Sequence, residues 1–167
     1  MALKEEMEQQ GNWLFRYRSI LPVGILMLAL IIFIEMKLKQ SPLSACDYVF
    51  ESFCLLISLA GLLIRAYTVG YSPKNTSGRN TAQGQVADTL NTTGIYSVVR
   101  NPLYLGNFSM WLGLALLTEN VWFVISFILL YWMYYERIIF AEEQFLERKF
   151  GDQYREWAKR VPVFIPN

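Results

Sequence analysis

The residues best suited to chemistry lie in Gly94 to Gly106, GIYSVVRNPLYLG, where a polar loop carrying Arg100 runs straight into a long apolar segment. A residue before proline is pushed out of the α region, while proline suits the first helical position. Asn101 therefore reads as an N-cap and Pro102 as the start of a helix at the water–lipid boundary. The unpaired N–H groups and positive dipole end there make an anion site, to which Arg100 adds a full charge. A second cluster, Glu136, Arg137, Glu142 and Glu143, follows a later apolar segment. Glu142 and Glu143 are about 100° apart on a helix, so one faces inward while the other faces water or the loop. An inward carboxylate beside arginines is expensive unless it binds something.

The elements that position these clusters follow from composition. Of 167 residues, 54% are apolar and 16% aromatic, with only 17% charged, which puts the chain in the membrane class. The spans are expected at about 20–37, 48–71, 102–118 and 120–141, and the last two are separated so closely that they must form a tight antiparallel hairpin. Lys and Arg set the orientation. Lys4, Arg16 and Arg18 precede the first span, Lys74, Arg79 and Arg100 lie between the second and third, and six more follow from Arg137 onward. Only Lys37 and Lys39 fall on the other side. The positive-inside bias predicts a multi-pass membrane protein with both termini in the cytoplasm. The hairpin then brings the two charged clusters to the same face.

The expected fold is all-α, a single domain over residues 1–167: an integral membrane bundle of about four transmembrane helices. A cytoplasmic loop, 72–101, carries polar residues without helical or strand period, and its length suggests a binding loop or lid. A cytoplasmic amphipathic helix is expected over 142–160, since Phe145, Leu146, Phe150, Tyr154, Trp157 and Val161 recur near the helical period. Gly151 breaks or kinks it, and the tail to Pro166 then runs extended. Trp13, Phe15, Arg16, Tyr17 and Arg18 fit an interfacial anchor before the first span. The tail ahead of them lacks the basic region of a signal peptide, so no cleavage is expected. The sequons at Asn75 and Asn91 fall on the cytoplasmic side and are discounted. Arg65, inside the second span, faces the same side as the polar loop, whereas Glu51 near the outer end snorkels.

Several functions are excluded early. The chain has no histidine, which removes Ser-His triads, histidine general bases and most zinc sites, so no metal is expected. The net charge of +1 implies no nucleic-acid partner. Cys46 and Cys54 lack metal spacing and read as small apolar fillers. Chemistry must rest on Arg, Glu, Asp, Tyr and backbone groups.

These residues, taken together, resemble the isoprenylcysteine carboxyl methyltransferase and phospholipid methyltransferase superfamily of small integral membrane enzymes. The likeness runs through Asp88-Thr89-Leu90-Asn91, Thr93-Gly94-Ile95-Tyr96, Arg100-Asn101-Pro102-Leu103-Tyr104-Leu105-Gly106, Glu142-Glu143, Phe150-Gly151-Asp152-Gln153-Tyr154 and Val161-Pro162 to Pro166. Each motif alone is weak, but their order makes coincidence a poor explanation. The resemblance implies S-adenosylmethionine held by the loop from Asp88 to Tyr104, through Asp88, Leu90, Asn91, Tyr96, Asn101, Pro102, Leu103 and Tyr104, and by Glu142 or Glu143. It implies a lipid or lipidated substrate entering sideways between helices. Arg137 matches the family arginine that handles the acceptor, with Arg100 as the other catalytic cation. Two family histidines are replaced here, by Asp88 and Asn101.

Methyl transfer without histidine is physically sound when the acceptor is an anionic oxygen, carboxylate or phosphate, because no base is then required. An amine acceptor would need to lose a proton to Glu142 or Glu143. Two other classes compete. One is an NADPH-dependent membrane reductase of the sterol or steroid type, which resembles the same hairpin. The other is a non-catalytic membrane protein whose clusters bind lipid head groups.

Overall fold

Long apolar runs broken by proline, glycine and short polar turns produce helices, and the computed structural model shows them over residues 2–18, 20–39, 45–72, 80–81, 84–85 and 87–164, the residues it describes. They are α1 (Leu3–Arg16), α2 (Ile20–Lys39), α3 (Ala45–Tyr71), α4 (Pro102–Leu116), α5 (Val121–Phe150) and α6 (Asp152–Arg160), with a 3-10 turn at Gly94–Ser97. One antiparallel ladder pairs β1 (Asn80–Thr81) with β2 (Gly84–Gln85), a short departure from the strand-free loop expected there. Lys74, Arg79 and the Asn75 sequon lie outside the described residues, as does Pro166.

The helices run up and down. At the outer end Lys37 Nζ of α2 lies 2.5 Å from Glu51 Oε1 of α3, and the charge of Glu119, in the α4–α5 turn, reaches the same lysine. Glu51 thus has a partner rather than snorkelling alone. α3 and α4 press together because Gly61 carries no side chain; a Cβ there would collide with backbone atoms of Gly106 and Met110. Ser58 Oγ donates to Met110 O at 2.9 Å across the same seam. Small residues and side-chain hydrogen bonds are what hold helices together where the surroundings are as apolar as the side chains.

The α4–α5 hairpin is as tight as its sequence requires. Thr118 Oγ1 donates to Ala115 O at 2.7 Å, closing an end carbonyl of α4, and Asn120 Oδ1 caps α5 by accepting from Phe123 N at 3.0 Å. Along α5, Phe127, Tyr131 and Tyr135 recur every four residues and form one buried face. Tyr131 and Tyr135 stack with ring centroids 4.2 Å apart, Tyr104 of α4 lies 4.9 Å from Tyr135, and Tyr131 Oη donates to Tyr104 O at 2.7 Å.

Beyond the fourth apolar segment α5 continues unbroken past Ala141 to Phe150, because nothing in Glu142 to Lys149 interrupts a helix. The break falls at Gly151, the residue expected to break or kink it, whose φ of +54° and ψ of −123° suit only glycine, and α6 then turns back so that Tyr154 and Trp157 are buried. One expectation is corrected: the N-terminal cluster is not a free interfacial anchor. Phe15 is 3% exposed because α1 packs along α5, although Trp13 stays outside.

α3 and α5 are long and apolar enough to cross a membrane. Their outer faces expose large side chains, among them Leu55, Leu59, Leu63, Leu129, Leu130 and Met133. Such a belt is costly in water and comfortable in lipid, which marks a membrane protein.

Candidate functional site

The site is assembled where α4 begins. Asn101 is the N-cap residue and Pro102 opens the helix, as its sequence dictates, yet the Asn101 side chain makes no capping bond. Two backbone N–H groups of this turn are not left open to an anion. Arg100 N donates to Pro162 O at 2.8 Å and Asn101 N to Val163 O at 3.3 Å, so the tail after α6 lies against the turn as a strap. The strap takes the two N–H groups just ahead of the helix and not those of Leu103 and Tyr104 in its first turn, so the helix start keeps its polarity and the side chains add to it.

Those side chains meet the end of α5. Arg100 Nη1 lies 3.1 Å from Glu143 Oε1, with the two side chains only 15% and 26% exposed, and 3.4 Å from the Tyr154 hydroxyl. Tyr104 Oη donates to Glu142 Oε2 at 2.7 Å. The two adjacent glutamates thus have different partners, as their angular offset on the helix requires. Arg18, from the α1–α2 junction, adds a positive charge felt at Glu142 and Tyr104, a contribution the sequence reading missed. Trp157 Nε1 donates to Tyr96 O at 3.1 Å and fixes α6 over the loop. Burial, reinforced by the charge of Glu143, pushes the Tyr154 hydroxyl well above the usual phenol range, so it keeps its proton. Burial raises Tyr96 likewise.

A cavity opens among these groups. Of the residues expected from sequence, it brings together Tyr96, Arg100, Asn101, Pro102, Leu103, Tyr104, Glu142 and Glu143, and it adds Leu146, Tyr154 and Trp157. Four expected residues do not line it. Asp88 is exposed, Leu90 packs against the cluster of Ala87, Tyr96, Leu146 and Trp157, and buried Asn91 accepts at Oδ1 from Thr93 N and Thr93 Oγ1, both at 3.3 Å. Arg137 turns the other way, donating from Nε to Gln10 Oε1 at 2.7 Å and from Nη1 to Met133 O at 3.3 Å. The strap itself was not foreseen; the residue pair Val161-Pro162, which ends a helix in extended chain, was its only signal.

Two buried donors of the cavity lack a hydrogen-bond partner among the described residues, Arg100 Nε and Asn101 Nδ2, while Glu143 Oε1 is met only by the ion pair with Arg100. Buried polar groups are nearly always paired, so two donors left over in one cavity suit a ligand with an anionic or acceptor group, and the Glu143 carboxylate can take a cationic one. A methionine-derived nucleoside has a carboxylate for the donors and an ammonium and ribose hydroxyls for the acceptor, so the residues fit it. Tyr96, Tyr154 and Trp157 supply flat surfaces of the kind an adenine stacks on.

A larger groove runs beside this cavity and shares Glu143 with it. One wall is α5, with Tyr131, Trp132, Tyr135, Ile139 and Phe140; the other is the strap, Pro162, Val163 and Phe164. Glu136 stands at its edge.

Sequence comparison places these features in a family. Residues 53–153 match the model of the phospholipid methyltransferase family, and the chain belongs to it. Its relatives include the protein-S-isoprenylcysteine O-methyltransferase of Schizosaccharomyces pombe, 40% identical over 75 residues that make up 45% of this chain and 32% of the relative. The Saccharomyces cerevisiae protein of that name is 33% identical over 115 residues, 68% of this chain and 47% of the relative. The cobalt-zinc-cadmium resistance protein CzcN of Cupriavidus metallidurans is 34% identical over 114 residues, 67% of this chain and 50% of the relative. The chain spans about a third to a half of the length of these curated relatives.

Proposed function

We propose that this protein transfers a methyl group from S-adenosylmethionine to an anionic oxygen, carboxylate or phosphate, of a lipid or lipidated acceptor that enters from the bilayer. The observation that carries the reading is the cluster of Arg100, Asn101 and Glu143, with two buried donors unspent beside the ion pair, at the junction of a polar cavity and an apolar groove. Family membership supports the same class of reaction over the reductase and the non-catalytic readings.

When bound, the donor would supply a sulfonium methyl, an electrophile that an anionic oxygen can take without losing a proton. The protein's work is then placement. Arg100 and Asn101 would hold the donor's carboxylate and Glu143 its cationic end, and Tyr154 orients Arg100 and Glu143 by staying protonated between them. The cavity walls exclude water and strengthen the attraction between an anionic acceptor and the donor's positive sulfur. Glu142 is held by Tyr104 and braces the floor. Arg100 also orients the incoming anion, whereas Arg137, bonded to Gln10, reaches the acceptor only by leaving that partner.

We read the chain as crossing the bilayer four times, through α2, α3, α4 and the first two thirds of α5, with both termini cytoplasmic. α4 has 15 residues, which makes about 22 Å of helix, so its polar ends sit at the two interfaces or the bilayer thins around it. The test is incubation of the purified protein with methyl-labelled S-adenosylmethionine and a total lipid extract. A labelled lipid carrying an ester-type methyl supports the proposal; absence of donor binding overturns it, and a labelled amine overturns the acceptor class.

A further inference from the structure

The strap does two jobs at once. On one side its carbonyls at Pro162 and Val163 take the N–H groups of Arg100 and Asn101, the residues whose side chains line the polar cavity. On the other side Pro162, Val163 and Phe164 form a wall of the apolar groove, where the Phe164 ring lies 5.9 Å from that of Trp132 on α5. Trp132 is 58% exposed and continues the outward row of Leu129, Leu130 and Met133. The groove therefore opens onto the face of α5 that meets lipid, and its inner end is closed by Glu143 beside Arg100.

We propose that Phe164 is the specificity-determining residue of this groove, setting the bulk and length of the apolar chain admitted between α5 and the strap; this rests on the acceptor reading above. The occupant is the hydrocarbon chain of a membrane lipid or lipidated acceptor. Its charged head stops at the inner end of the groove, where Glu143, shared by the two cavities, is paired with Arg100, the cation that meets an anionic head. A chain thick enough to displace Phe164 must also move Pro162 and Val163, and with them the backbone of Arg100 and Asn101. A misfitting chain consequently disturbs the donor cavity, which gives the selection a route to the reacting groups.

The experiment uses the detergent-purified full chain and fatty acids of 10 to 20 carbons, straight and methyl-branched, each carrying a terminal diazirine. Photolabelled peptides are mapped by mass spectrometry, and donor binding is followed in parallel with radiolabelled S-adenosylmethionine. Label is expected on the peptides holding Trp132, Phe140 and Phe164, competed by unlabelled fatty acid. Phe164→Ala is expected to shift the preferred probe toward longer and branched chains by about tenfold, which corresponds to fewer than two newly buried methylenes. Phe164→Leu should fall between. Label spread evenly over the outer faces of α2 and α3, or an unchanged chain preference in Phe164→Ala protein that still binds donor, overturns the proposal. Groove labelling in a wild-type protein that binds no donor overturns the methyltransferase reading and leaves the groove assignment standing.

Discussion

Arg100 and Glu143 meet at 3.1 Å although one precedes α4 and the other lies near the end of α5, and Arg100 keeps its buried Nε unpaired beside the contact. The ion pair closes the cavity without satisfying it. Removing either partner leaves the other charge buried, and hydrogen bonds to charged groups contribute about 1.5–3 kcal/mol. Arg100→Ala and Glu143→Gln should each weaken S-adenosylmethionine binding by about tenfold or more in a direct titration. Equal affinity in wild type and both variants would remove these residues from the donor site.

Asn101 offers a test with opposite signs. Its buried Nδ2 has no partner among the described residues, so Asn101→Leu relieves an unsatisfied donor and should raise the melting temperature of ligand-free protein. The same change should weaken donor binding. A variant that is both less stable and equally tight would show that the side chain serves packing alone.

Tyr104 and Glu142 form a side-chain hydrogen bond between α4 and α5, at 2.7 Å. Tyr104→Phe keeps the packing and deletes the donor, leaving a carboxylate short of a partner. The expected cost is about 1–3 kcal/mol in denaturant titration in detergent, with Glu142→Gln in the same background recovering part of it. Additive losses in the double variant would argue that the two groups do not interact.

Tyr154 makes the alkaline limb of the stability profile informative. Its native hydroxyl holds the proton to higher pH than a solvated phenol, through burial first and the charge of Glu143 second. Its contribution is therefore complete below about pH 10, where the unfolded phenol is still protonated, and declines as pH rises above that value. Tyr154→Phe should lose less stability than wild type between pH 9 and about 11 in thermal scans. A steeper loss in the variant contradicts this sign.

Gly11 fixes α1 against α5. A Cβ there would collide with Arg137 O and with Ala141, the residue before Glu142, while Arg148 grips Glu8 at 2.5 and 2.9 Å from the same side. Gly11→Leu should detach α1 and expose Phe15, read as faster proteolysis of the N-terminal segment and a stability loss of about 1–3 kcal/mol. Unchanged protection would show that α1 docks without the close approach.

Much of the polar cavity was legible because its residues are local signals. A proline fixes where α4 begins, a two-helix hairpin with a short turn fixes that its ends are neighbours, and Glu142-Glu143 must point in different directions on any helix. The rest depended on contacts between segments with no periodic relation. Arg137 and Arg100 are both arginines beside the expected face, yet only packing of α1 on α5 turns Arg137 toward Gln10 and away from the cavity. Asp88 and Asn91 share a motif with Tyr96, but the loop spends Asn91 on its own turn.

The sequence by itself determined the helical segments, their up-and-down order and the pairing of an arginine-proline turn with twin glutamates, since these follow from hydrophobic length, charge bias and backbone stereochemistry along one stretch of chain. The tertiary structure decided which polar atoms stay unsatisfied, that the strap consumes the N–H groups of Arg100 and Asn101, and that a groove reaches Glu143 from the apolar face. Hydrogen-bond partners chosen from distant parts of the chain are a property of packing, and no local pattern encodes them.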